Sequence, residues 1–129
     1  MAIVLIADDD PIVRLTVGEF LGAVGHSVLE AADGQEALDT IATVQIDLLI
    51  VDMLMPNMDG LETILALRKS GSTLPIIAIS SGGRMDRSTL LRPAAVFGAN
   101  ATLPKPLLRD SLVSTVEATL AEGVVVQFE

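Results

Sequence analysis

The chain has 129 residues and a net charge of −9, from 17 acidic residues against eight Lys and Arg; that length suits one compact domain of roughly 14 Å radius of gyration. A surface this acidic repels phosphate backbones and anionic lipid, which argues against direct nucleic-acid or membrane binding. Half of the residues are hydrophobic but only 2% are aromatic, with no Trp, Tyr or Cys, so the core is aliphatic, disorder is excluded, and thiolate metal sites, disulfides and a Cys nucleophile are ruled out.

Residues 2–7 form a short apolar run that reads as a buried strand. No basic residue precedes it and three Asp follow it, so it is not a signal peptide; no segment reaches the ~20 apolar residues of a membrane span, and a cytoplasmic location is expected. Asp10-Pro11 supplies an N-cap and a first-turn proline, and Val13, Val17, Phe20, Leu21 and Val24 recur at helical spacing until Gly25. Residues 27–31 predict a second strand, and Asp33-Gly34 a turn and cap before a helix with Ala37, Leu38 and Ile41 on one side. Residues 48–51 predict strand three. After the loop around Pro56, Asp59-Gly60 opens a third helix through Leu61, Ile64, Leu65 and Leu67 to Lys69. Residues 75–79 predict strand four and residues 85–97 a helix that Pro93 shortens, kinks or splits. Residues 99–103 predict strand five, and residues 107–121 a last helix with Leu112, Val113, Val116, Ala118 and Leu120 as its stripe.

Strands that are apolar throughout require cover on both faces, so helices should flank a parallel sheet. The expected fold is α/β, a doubly wound five-stranded parallel sheet of order 2-1-3-4-5, flavodoxin-like, with a ligand crevice at the carboxyl ends of strands one and three. Residues 1–122 are read as the domain and residues 123–129 as a C-terminal tail, for which a strand or homodimer contact through residues 124–128 is the alternative.

This topology gathers the polar residues that interrupt the apolar strands. Asp8, Asp9 and Asp10 follow strand one, Asp52 ends strand three, Ser80 ends strand four and Lys105 follows strand five. Crowding Asp8, Asp9 and Asp52 is costly without a cation; Mg²⁺ suits such a set, taking one or two carboxylates, waters and a phosphate oxygen. Lys105 adds a fixed cation and Ser80 a hydroxyl, which together describe a phosphoryl pocket. Ser80 has no adjacent His to activate it, whereas Asp52 is a ready carboxylate nucleophile. Asp10 alone reads as a helix cap, His26 as a surface residue, and Met53, Met55 and Met58 as packing rather than a copper site.

The segments Leu5-Ile6-Ala7-Asp8-Asp9-Asp10-Pro11, Asp52-Met53-Leu54-Met55-Pro56-Asn57-Met58-Asp59-Gly60, Ile79-Ser80, Gly98-Ala99 and Lys105-Pro106 resemble, in order and spacing, the receiver domain of two-component response regulators. The resemblance implies that Asp52 accepts a phosphoryl group from a phosphohistidine of a sensor histidine kinase or histidine phosphotransfer protein. It further implies that Asp9 binds Mg²⁺ directly, Asp8 through a metal-bound water, and the Leu54 backbone carbonyl as a third protein ligand. Lys105 and, after transfer, the Ser80 hydroxyl would hold phosphoryl oxygens, and Lys105-Pro106 would be cis. Five positions depart from the pattern. Thr102 stands where such domains carry a switch aromatic, and Leu54 and Gly82 offer no polar side chain to orient attacking water, so slow self-dephosphorylation is expected; Pro104 and Pro93 point to an unusual output face.

Residues 84–110 carry five bases (Arg84, Arg87, Arg92, Lys105 and Arg109) against Asp86 and Asp110, a locally basic stretch suited to an acidic partner. Two rival functions share the architecture. A flavodoxin needs a phosphate-cradling loop after strand one and aromatics around its flavin, which are lacking here. A Mg²⁺-dependent aspartyl-phosphate phosphatase would use Asp8 and Asp10 as its pair, but leaves Asp52 and Lys105 unexplained. The expected function is a phosphorylation switch acting through protein contacts, not an enzyme, as a single-domain regulator or phosphorelay shuttle, with a receiver domain of a larger response regulator or hybrid kinase as the alternative.

Overall fold

The computed structural model describes residues 1–80 and 97–122. Within them the strands are β1 (Ile3–Ala7), β2 (Ser27–Ala31), β3 (Leu48–Asp52), β4 (Ile76–Ser80) and β5 (Ala101–Pro104). The helices are α1 (Pro11–Gly22), α2 (Gly34–Thr43), α3 (Gly60–Lys69) and α4 (Arg109–Glu122). The helix expected over residues 85–97, with Pro93 and most of the basic stretch, lies outside the described residues but for Phe97, which stands in a turn; Gly82 and the tail at 123–129 also lie outside them.

The five strands form one parallel sheet in the order β2-β1-β3-β4-β5, the doubly wound arrangement expected from the apolar runs. Its central strands β3 and β4 are buried at every residue, because helices cover both faces. On one face Leu5, Leu49, Val51, Ile76 and Ala78 pack with Ala37, Ile64 and Leu67 of α2 and α3. On the other, Val4, Ile6, Ile50, Ile77 and Ile79 pack with Val17 and Leu21 of α1 and Leu112 and Val116 of α4. Alternation along each strand thus feeds two cores rather than one core and solvent.

Three helices start as the residues dictate. Asp10, Asp33 and Asp59 are N-caps whose side chains accept from the backbone amides of Ile12, Glu36 and Glu62. Asp59 and Glu62 complete a reciprocal capping box, which satisfies donors that a helix N-terminus otherwise leaves orphaned.

The boundaries differ in instructive places. α1 ends at Gly22, not Gly25; the amides of Val24 and His26 both turn back to the Leu21 carbonyl, Gly25 takes φ 98°, and Val24 faces solvent. β5 starts at Ala101, since Asn100 is spent at the sheet entrance: its amide donates to Ile76 O at 2.7 Å and its Oδ1 accepts from Ile76 N at 2.8 Å. In α4 the stripe passes through Thr119 rather than Ala118, which is exposed. Residue 119 lies three past Val116 on the same face, and its hydroxyl is satisfied by Thr115 O at 2.7 Å. The edge strand β2 exposes Ser27, Leu29 and Glu30, so the rule of two covered faces holds only for the interior strands.

Candidate functional site

Register puts the strand ends level. Ala7 pairs with Val51, Asp52 with Ile79, and Ser80 with Pro104, and Lys105 N donates to Ser80 O at 2.8 Å. Asp8, Asp52, Ser80 and Lys105, separated by up to 97 residues of chain, therefore meet at one sheet edge. Asp8 and Ser80 are fully buried and Asp52 is 4% exposed, while Asp9 faces solvent.

Lys105 Nζ lies between the two buried carboxylates, 2.8 Å from Asp8 Oδ2 and 3.3 Å from Asp52 Oδ2. The closer contact is with Asp8, whose Oδ2 is fully buried and has the Lys105 ammonium as its partner. Its Oδ1 accepts from Asp10 N at 2.9 Å. Burial, and then the negative charge of Asp8, push the Asp52 carboxyl from its ordinary 3.8 up to about 6, against the pull of Lys105. Burial alone would lower the Lys105 pKa, but contacts with Asp8 and Asp52 together outweigh it and raise the value. One cation thus faces two buried carboxylates and leaves a negative excess.

Oxygen atoms of Asp8, Asp9 and Asp52 lie within 4.8 Å of one another. Three hard carboxylate donors, two of them buried and facing a single ammonium and the third exposed on the water side, fit a divalent cation of the Mg²⁺ type, which retains waters and accepts few protein ligands. The Leu54 amide reaches toward Asp52 Oδ1 at 3.5 Å, and the Leu54 side chain is half-exposed beside the site. Thr102 is half-buried in β5 opposite Ala78. The Lys105-Pro106 peptide is cis.

Two further residues support this edge: Gly60, which the sequence marks only as a helix opener, and Arg14, which it did not single out. Gly60 closes on the end of β3: a Cβ there would strike the Asp52 carbonyl oxygen and come 2.8 Å from Met53 Cα. Arg14 holds the Asp8 carbonyl through an N–H donor at 2.7 Å while its Nε donates to Glu30 at 2.8 Å. Only helical spacing from Asp10 could have flagged Arg14, and it does not distinguish a brace from a solvated charge. His26 corrects an expectation, since it is buried rather than on the surface. Its Nδ1 accepts from Ala2 N at 3.0 Å, and Nε2 contacts Glu117 Oε2 at 2.9 Å. Met53 is 3% exposed and packs in the core as expected. Asp10 caps α1.

With this fold and acidic edge in place, comparison with known proteins defines the class: the chain belongs to the response regulator receiver domain family, whose model matches residues 4–117. Among individual relatives it is 37% identical over 117 residues to the response regulator MprA of Mycolicibacterium vanbaalenii, covering 91% of this chain and 49% of that protein. The corresponding figures for MprA of Mycobacterium tuberculosis are 38%, 91% and 50%. The chain therefore spans about half the length of the curated relatives it matches. Among solved structures it is similar to the chemotaxis response regulator CheY4 of Vibrio cholerae (TM-score 0.82, 30% identity, 92% of this chain and 98% of that one). It is also similar to the receiver domain of Francisella response regulator 1452 (TM-score 0.84, 28% identity, 95% and 98%). The chain is thus a signalling domain, and no helix among its described residues is long and apolar enough to cross a membrane.

Proposed function

We propose that the chain is a phosphorylation switch of a two-component or phosphorelay system in the cytoplasm, in which Asp52 takes a phosphoryl group from a phosphohistidine. The observation that carries this reading is the Asp52 carboxylate, buried against Lys105 on one side and against the metal-competent Asp8 and Asp9 on the other. An Asp52 oxygen attacks phosphorus, the P–N bond to the donor imidazole breaks, and the imidazole leaves with a proton from solvent, giving an aspartyl phosphate. Lys105 Nζ, already between the carboxylates, holds a phosphoryl oxygen and offsets its charge; the buried Ser80 hydroxyl, next to Lys105 in register, binds another. Asp9, Asp8 and the Leu54 carbonyl would hold Mg²⁺ together with Asp52. When bound, that ion neutralises charge gathering on the phosphoryl oxygens. A sensor kinase or phosphotransfer protein is the donor, and the output passes through contacts with a further protein. Because Thr102 replaces an aromatic, movement of Ser80 would carry the switch without a coupled ring.

A receiver carried within a longer regulator is the second reading, favoured by relatives of which the chain spans about half. The phosphatase reading loses its acid-base partner, since Asp10 Oδ1 is engaged by Ile12 N at 2.9 Å as a helix cap. The test is incubation with acetyl phosphate and Mg²⁺ followed by intact mass. One added phosphoryl group on the parent chain and none on Asp52→Asn is expected; equal labelling of the variant overturns the assignment. With Leu54 apolar and half-exposed at the site, the phosphorylated form is expected to persist for minutes or longer, and decay within seconds would contradict slow self-dephosphorylation.

A further inference from the structure

The loop between β3 and α3, residues 53–59, carries the Leu54 carbonyl and is fastened on two sides. Its first residue is tied both to β4 and to the start of α3: Met53 N donates to Ile79 O at 2.9 Å, and Met53 O accepts from Gly60 N at 3.2 Å. Its far side is tied to a different helix altogether. Gly34 N, at the start of α2, donates to Met58 O at 3.0 Å. Asn57 Nδ2 donates to Asp33 Oδ2 at 2.7 Å, while Asp33 Oδ1 caps α2 by accepting from Glu36 N at 2.9 Å. Between the two fastenings, residues 54–56 have a single hydrogen bond among the described residues, the 3.5 Å contact from Leu54 N to Asp52 Oδ1. The position of the Leu54 carbonyl is therefore set by its anchors and not by bonds of its own.

Asn57 sits at φ 66°, a left-handed conformation that costs most residues but that Asn and Asp tolerate. Its side chain thus joins a backbone bend to a charged acceptor. Asp33 is suited to receive it: the Glu36 amide, and next the Asn57 side chain, hold the Asp33 carboxyl below its ordinary value, so the acceptor is an anion and the bond is charge-assisted. Gly34 makes the approach possible, because a Cβ there would collide with the Thr63 hydroxyl and come 2.7 Å from Met58 O.

We propose that Asp33 and Asn57 form a latch which, acting through the β3–α3 loop, positions the Leu54 carbonyl and so sets the affinity of the acidic edge for Mg²⁺. The inference rests on the metal reading above. Mg²⁺ demands near-ideal octahedral geometry, so a carbonyl ligand free to wander is worth less than one held in place, and groups that orient metal ligands commonly carry 10–100-fold of affinity.

The test compares the full chain with Asn57→Gly, which keeps the left-handed bend but removes the donor, and with the reciprocal pair Asp33→Asn/Asn57→Asp, which restores a donor and an acceptor in reverse and retains an N-cap residue. Two quantities are read at a temperature where all three are folded: Mg²⁺ affinity by calorimetric titration, and exchange of the Gly34 amide in metal-free protein. Expected are Mg²⁺ binding about tenfold weaker in Asn57→Gly, faster Gly34 exchange without metal, and recovery of both in the reciprocal pair. Parent-level Mg²⁺ affinity in Asn57→Gly, or a folded reciprocal pair that remains weak, overturns the latch and leaves the metal site standing. Failure of the parent chain itself to bind Mg²⁺ overturns the metal reading and the latch with it.

Discussion

The folded chain holds a proton on Asp52 over a pH range in which the unfolded chain has already released it, because burial and the neighbouring Asp8 raise this carboxyl from 3.8 to about 6. Stability linked to this group is therefore highest at low pH, falls as pH rises from about 4 to about 6, and stays reduced above that. Asp52→Asn removes the penalty. In chelator-treated protein it is expected to raise unfolding free energy at neutral pH by roughly 1–2 kcal/mol, discounted for partial screening, and to lose that advantage near pH 4. Urea titrations at the two pH values check the sign. The same shift governs the chemistry, since a protonated Asp52 is neither nucleophile nor metal ligand. The rate of labelling by acetyl phosphate should fall on acidification, with a midpoint below about 6 at saturating Mg²⁺, because a cation favours the ionised form. A rate that is flat down to pH 4 would contradict Asp52 as the attacking group.

At the scale of elements, the loops that bring the strand ends to the site are built from caps and close approaches. The sequence shows the caps. Asp10, Asp33 and Asp59 each precede a helix by one residue, and a short polar side chain there has a local reason that needs no tertiary information. Asp10→Ala should accordingly cost about 1 kcal/mol while leaving Mg²⁺ affinity nearly intact, whereas Asp9→Ala should spare stability and abolish most Mg²⁺ binding; thermal melts and calorimetric titration separate the two. The close approaches were not legible. Gly60 looks like an ordinary helix-opening glycine, yet it touches the backbone of Asp52 and Met53, and only the packing of α3 on β3 shows this. Gly60→Ala should displace the β3 end, costing about 1–3 kcal/mol and slowing phosphorylation of Asp52, measurable by denaturation and intact mass on the same sample.

On the scale of the whole molecule, a net charge of −9 is concentrated in part where three carboxylates converge, so a bound divalent cation should act as a stabiliser. At about 100 times its dissociation constant the expected gain is ~2.7 kcal/mol, visible as a rise in melting temperature with Mg²⁺ that Asp9→Ala largely loses. The two cores are held by the outer helices, and Leu112→Ala, which empties a fully buried position between α4 and the sheet, should cost about 2–5 kcal/mol. The sequence by itself determined the five strands, their order and which polar residues stand at strand ends, because apolar runs, caps and right-handed crossovers are local or topological constraints that survive without coordinates. It also placed Asp8, Asp52, Ser80 and Lys105 at one edge, since residues following the ends of parallel strands share a pole of the sheet. The tertiary structure alone decided how they meet: that Lys105 lies between two buried carboxylates, closer to Asp8 than to Asp52, and that Asn57 reaches across to the cap of α2. It also decided that His26 is buried, linking Ala2 to Glu117, a partner 91 residues away. These are contacts between groups distant in the chain, and their geometry follows from how helices pack on the sheet, which no local pattern encodes.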